Sequence, residues 1–213
     1  DDTIGWIRIP NTNVDYPVVY KAGVENYAYY ESKGYDKQYS KDGVIWADYE
    51  CTFPELSQNT TLYGHNWHNI YTPRTQANMQ ANDLMFSLVM SYNYTDFAQE
   101  NPFIYFSTTE QDYVFQVFAS YYTDLNFGYN YAQMSQEDFQ KVIAEAKAKS
   151  LSNYNVPVTS EDKIVTLSTC TRVHGNTNNQ RFVVMAKLVP VGTPSTTIST
   201  HSNPIAYNSS IDA

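Results

Sequence analysis

Two cysteines in 213 residues are too few for a disulfide framework, and neither stands in the paired Cys or Cys/His spacing of a metal site. Both thiols are therefore expected to be free, and no metal or other cofactor is implied. Charge is also sparse, at 16% of residues, with 13 Lys and Arg against 22 Asp and Glu. A net charge of −9 without a basic cluster excludes a nucleic-acid backbone as partner, because phosphate binding needs grouped cations. No apolar run reaches the roughly 18 to 20 residues that cross a bilayer, and no signal peptide opens the chain. The sequence thus reads as a soluble ectodomain. Its opening "DDTIGWIRIP" begins almost inside a strand, which suggests an upstream membrane anchor or helix absent from this chain.

Aromatic side chains, in contrast, are plentiful: 15% of the chain, including 20 tyrosines, within a 42% hydrophobic composition. That excludes disorder and fits a mainly β domain with a sizeable core. At this length one barrel or sandwich accounts for the chain better than two domains. Eight strand-like runs are separated by turn chemistry: Trp6 to Ile9, Tyr16 to Tyr20, Val44 to Ala47, Thr60 to Tyr63, Phe103 to Phe106, Tyr113 to Tyr121, Ile164 to Cys170 and Arg181 to Val189. Asp42-Gly43 reads as a turn that starts a strand, and the polar link Thr108 to Asp112 as a hairpin connection.

Helical period appears after Ser135, an N-cap residue with Asp138 three positions on, where Phe139, Val142, Ile143 and Ala146 fall on one stripe. Asp83 to Tyr92 gives a second helix, apolar on several faces, and Val24 to Tyr30 a short third. The Ser-, Thr- and Pro-rich segment 192–213 is expected to be a loosely ordered tail behind a domain of residues 1–191.

The run "KIVTLSTC" ends on Cys170, and the ten polar residues "TRVHGNTNNQ" separate it from the strand "RFVVMAKLV". If the two strands pair antiparallel, Cys170 faces Arg181 across the loop mouth. A guanidinium there favours a thiolate and can donate to an oxygen that becomes negative during acyl transfer. His65, in "LYGHN", stands at the end of another short strand after a glycine. Rigid strand ends that present a thiol and an imidazole suit nucleophilic catalysis.

"TLSTC", the arginine opening "RFVV", the upstream "YGHN" and the early "GWIRIPNTNVDYPVVY" together resemble the sortases, cysteine transpeptidases of Gram-positive cell surfaces, and among them class B. The resemblance runs from about Thr3 to Val189. It implies an eight-stranded closed β-barrel with peripheral α-helices, one of them between strands 6 and 7. It further implies that Cys170 attacks the threonine carbonyl of a sorting signal, that His65 moves the amine protons, and that Arg181 holds the substrate backbone and the oxyanion. The amide of Thr171 would help Arg181, in a position where class B members often carry an acidic residue. Asn26, Tyr63, Ser168 and Thr169 are the further substrate-binding candidates, with Tyr129 or Tyr131 as a cleft wall.

The partners implied are a sorting-signal peptide and the amine of a peptidoglycan precursor, met on the extracellular face of the membrane. A class B pilin polymerase using a lysine amine, a hydrolytic cysteine peptidase and a non-catalytic surface-binding β-domain are the rivals. Alone, Cys170 would read as a buried structural thiol, His65 as a turn histidine and Arg181 as half of a surface ion pair. His68 reads as a loop residue rather than the partner of His65 on a metal. His174 is a second, lower-ranked base. Asn59 and Asn93 match glycosylation acceptors but read as polar turns in a bacterial protein.

Overall fold

The computed structural model describes residues 2–200, and the expectation for the end of the tail, 201–213, lies outside them. Eight strands close a barrel in the order β1-β2-β3-β4-β8-β9-β6-β5. They are β1 (Thr3–Arg8), β2 (Asp15–Val19), β3 (Ile45–Ala47), β4 (Asn59–Tyr63), β5 (Phe103–Ser107), β6 (Asp112–Asp124), β8 (Ile164–Cys170) and β9 (Gln180–Val189). All eight predicted runs are strands, with ends displaced by up to three residues. A two-residue ladder between β7 (Ser152–Asn153) and β10 (Ser199–Thr200) lies outside the barrel and was not predicted.

Pairing around the barrel is antiparallel except at β2–β3 and β4–β8. Parallel neighbours need long crossovers, which here carry the peripheral elements. Six of the seven residues of β8 are buried, Cys170 at its end being the exception. A strand covered on both faces reads as a continuous β-branched run, and this explains the pattern of "KIVTLSTC". The Thr108–Gln111 turn joins β5 and β6 as the expected hairpin.

The predicted helix is α2 (Gln136–Lys149), and it connects β6 to β8, the sixth and seventh barrel strands. Ser135 Oγ accepts from the Asp138 amide at 3.1 Å, a cap worth about 1 kcal/mol. Phe139, Ile143 and Ala146 are buried against the core while Glu137, Asp138 and Lys141 face out. Burial of Phe139 alone contributes about 2 to 3 kcal/mol.

The other two helix expectations need correction. Asp83 to Tyr92 contains a 3-10 helix, Ser87–Asn93, in which Ser87 to Tyr92 are all buried. With no polar stripe there is no amphipathic face to build a surface α-helix on, and the backbone is packed as a tight buried turn instead. The short α1 (Thr95–Glu100) that follows was not predicted. In Val24 to Tyr30 only Val24–Asn26 is helical, again 3-10, after Gly23 at φ 100°.

The first part of the expected loose tail is docked. Thr196 Oγ1 donates to the Tyr154 carbonyl at 2.8 Å, the Ile198 amide to Gln99 Oε1 at 2.9 Å, and Ile198 is buried. No helix among the described residues is long and apolar enough to cross a membrane.

Candidate active site

Strand register decides what gathers at one rim of the barrel. β4 and β8 run parallel with Tyr63 opposite Ser168, so both chains leave the sheet at the same end. His65 lies two residues past Tyr63, and Cys170 two residues past Ser168. On its other side β8 pairs antiparallel with β9, and there Cys170 is the direct partner of Arg181. The thiol therefore stands on a strand flanked by the strand carrying the imidazole and the strand carrying the guanidinium. All three side chains line a cleft of about 360 Å³, and all three also border a second cavity of about 390 Å³.

Gly64 makes the turn out of β4 possible by its lack of a side chain. A Cβ there would lie 2.5 Å from Ile45 Cδ1 and 2.6 Å from Phe86 Cγ. His65 is then held on several sides. Its ring stacks on Trp67 at 5.0 Å and tilts against Trp46 at 5.7 Å. Beneath it passes Gly43, whose added Cβ would come within 2.9 Å of His65 Cδ2. His65 Nε2 meets the carbonyl oxygen of Glu31. A carbonyl can only accept, so Nε2 carries the hydrogen and Nδ1 is the nitrogen left to exchange a proton.

Arg181 Nη1 donates to the carbonyls of Asn178 and Gln180 at 2.8 and 2.9 Å, which ties the guanidinium to its own loop. The Cys170 carbonyl accepts from Asn66 Nδ2 at 3.2 Å. Thr171 continues the ladder: its amide donates to the Gln180 carbonyl at 3.3 Å and its hydroxyl to the Ile70 carbonyl at 3.2 Å. That amide is thus engaged with backbone in this structure.

Of the remaining candidates, Tyr63, Ser168 and Thr169 line the cleft. Ser168 Oγ and Tyr129 OH are 2.8 Å apart, and Thr169 Oγ1 donates to the Gly64 carbonyl at 2.7 Å. Asn26 does not line it, since its amide turns back to the Ala22 carbonyl at 2.6 Å, while Tyr27 and Ala28 reach the cleft. Between the two tyrosines, Tyr129 is buried in the wall and Tyr131 is 55% exposed outside it. His68 is exposed away from the cleft, and His174 packs edge-on to Tyr122 at 4.6 Å, also outside it.

Asn59 is no surface turn. Fully buried, it donates to the carbonyls of Tyr129 and Tyr131 at 2.8 and 3.2 Å and so fixes the loop that brings Tyr129 into the wall. Asn93 accepts from Tyr122 OH at 2.8 Å.

Sequence reasoning missed Trp46, Trp67, Glu31, Asp48 and Asn130. The one local hint was the tryptophan inside "HNWH". Asp48 Oδ2 accepts from Tyr63 OH at 2.7 Å, and Asn130 Nδ2 donates to the same phenol at 3.0 Å. Burial, reinforced by the Asp48 charge, pushes the Tyr63 phenol far above its ordinary range. Tyr129 moves up for the same first reason, opposed by its bond to Ser168. Both phenols are therefore neutral at physiological pH.

Cys51 is free, as expected, and 1% exposed. Desolvation raises its thiol to about 12, which keeps it protonated and inert.

A family profile described as the sortase domain matches residues 7–189. Sortase B of Staphylococcus aureus (strain NCTC 8325 / PS 47) is 30% identical over 191 residues, which is 89% of this chain and 71% of that protein. Sortase B of Listeria monocytogenes serovar 1/2a is 29% identical over 88% of this chain and 70% of that protein. Among solved structures, a Staphylococcus aureus sortase B–substrate complex superposes with a TM-score of 0.73 at 29% identity, over 90% of this chain and 81% of that one. Sortase B of Clostridium perfringens does so with 0.72 at 27% identity, over 89% and 94%. A closed eight-stranded barrel with cysteine, histidine and arginine on adjacent strand ends, matched along nine-tenths of its length by these proteins, places the chain in the sortase family of cysteine transpeptidases, in class B.

Proposed function

We propose that this transpeptidase cleaves a C-terminal sorting signal after threonine and transfers the surface protein to an amine of a peptidoglycan precursor. The Cys170 thiol passes its proton to His65 Nδ1 as its sulfur attacks the threonine carbonyl, and the C–N bond to the next residue breaks as Nδ1 gives that proton to the departing amine. The resulting thioester is attacked by the incoming amine, whose proton returns to His65 as the thiolate leaves. Arg181 stabilises the oxyanion in both tetrahedral states. To do so its guanidinium exchanges at least one loop carbonyl for substrate. An oxyanion role for the Thr171 amide would require its ladder bond to Gln180 to open as well.

The single observation that carries this reading is the register that sets Cys170 opposite Arg181 on one side and beside the His65 strand on the other. Tyr63, Ser168 and Thr169 would form the floor of the donor-peptide groove, with Asn26 reached only through a turn of its side chain. The catalytic domain is taken as residues 1–191, working on the extracellular face of the membrane behind an N-terminal anchor.

The deciding experiment incubates the enzyme with a panel of threonine-containing sorting peptides, with and without oligoglycine or a diaminopimelate-bearing acceptor. Faster turnover and an amide product in the presence of amine support transfer to wall precursor. Indifference to amine makes the protein a hydrolytic peptidase, and turnover only with a pilin lysine peptide makes it a polymerase.

A further inference from the structure

β3 brings to the cleft one group that the exchange of peptide bonds does not use. Asp48 directly follows β3, is 6% exposed and belongs to the cleft wall. Its carboxylate accepts from the Glu50 amide at 2.9 Å and from Tyr63 OH at 2.7 Å. Among the described residues no lysine or arginine forms an ion pair with it. The neighbouring charge that acts on it is Glu50, of the same sign. Asp83, buried to a similar degree, is by contrast paired with Arg74 at 2.7 Å.

Burial raises the Asp48 pKa, opposed by its bonds from the Glu50 amide and Tyr63 OH, so a cation arriving beside it would favour the charged form. The surroundings suit such a visitor. Trp46, Tyr49, Tyr63 and Tyr27 line the same cleft, and the negative faces of such rings attract ammonium and guanidinium groups. Arg181, the cross-strand partner of Cys170, and Asp48, at the end of β3, both line this cleft, so it carries a cationic side chain on one strand and a carboxyl on another. A peptide whose scissile carbonyl lies at Arg181 would thus meet a carboxylate further along.

We propose that the Asp48 end of the cleft is a subsite for a positively charged side chain, lysine or arginine, of the sorting peptide. The inference rests on the reading of this cavity as the donor-peptide groove.

The test uses the full chain carrying Cys170→Ala, which binds without reacting. Threonine-containing peptides with Lys, Gln or Glu at each position in turn are titrated by calorimetry at low and high salt. At one position Lys should bind about tenfold tighter than Gln, as expected for a charge-assisted contact, with Glu weakest. High salt should narrow the gap. Adding Asp48→Asn, with folding checked by thermal unfolding, should bring Lys and Gln to within about twofold of each other.

Equal binding of Lys and Gln at every position of the Cys170→Ala chain overturns the subsite, without recourse to any variant at Asp48. An unchanged Lys-to-Gln ratio in the double variant also overturns it and leaves Asp48 as a prop for Tyr63. Turnover by the unmodified enzyme is scored separately. Loss of turnover with the lysine preference intact defeats the catalytic reading alone, whereas turnover without the preference defeats the subsite alone.

Discussion

The barrel holds two thiols in opposite surroundings. Cys170 ends a strand at the rim, borders two cavities and has an arginine as its cross-strand partner. Cys51 lies inside, 1% exposed, with its sulfur 4.0 Å from the carbonyls of Asn59 and Thr61. The difference teaches that strand ends, where the ladder stops and side chains meet solvent, are where this fold places chemistry, while the same element in the interior is only packing.

The contrast breaks if the wrong thiol carries activity. Cys170→Ala should abolish acyl-enzyme formation, read as loss of a covalent peptide adduct by mass spectrometry. Arg181→Ala should lower kcat/KM by about 10²- to 10³-fold, the usual loss for an oxyanion donor. A wild-type rate in steady-state peptide assays would remove the guanidinium from the mechanism. Gly64→Ala sharpens the rim side. Its Cβ would press on Ile45 and Phe86, so denaturant unfolding should register a loss of about 1 to 3 kcal/mol together with slower turnover, because His65 is displaced.

Two smaller effects belong to the interior thiol. Iodoacetamide at pH 8 should label the native chain once, at Cys170, and the urea-unfolded chain twice, since a thiol pKa of about 12 leaves Cys51 only about 10⁻⁴ thiolate. The same shift couples Cys51 to alkaline stability. Its folded pKa lies above the unfolded value of 9.0, so its contribution is complete below pH 9 and is lost as pH rises towards 12. The slope approaches about 1.4 kcal/mol per pH unit. Cys51→Ala should show a shallower alkaline decline than the unmodified protein in unfolding curves, with peptide turnover unchanged.

Much of the architecture was legible because it is written in local period. Alternation and turn residues marked all eight barrel strands, and the Ser135 cap with the Phe139, Ile143 and Ala146 stripe marked α2. Where period failed, so did the reading. Ser87 to Tyr92 is buried on every side and has no stripe to detect, and the 192–200 part of the expected tail looks loose by composition yet docks through Thr196 and Ile198. The site divides in the same manner. Cys170, His65 and Arg181, which line the cleft together, stand in short motifs at or just past strand ends. Trp46, Trp67, Glu31 and Asp48 carry no motif and were not found. Asn26 was chosen by resemblance, and its side chain turns to Ala22 instead of into the cleft.

By itself the sequence determined the β-rich class, the strands and the one amphipathic helix, because propensity and periodicity are properties of neighbouring residues. Only the tertiary structure decided that β4 lies parallel to β8, which sets His65 beside Cys170, and that Asp48 and Tyr63 face one cleft. Those are pairings between distant segments, and they exist only once the barrel has closed and its register has settled which side chains meet.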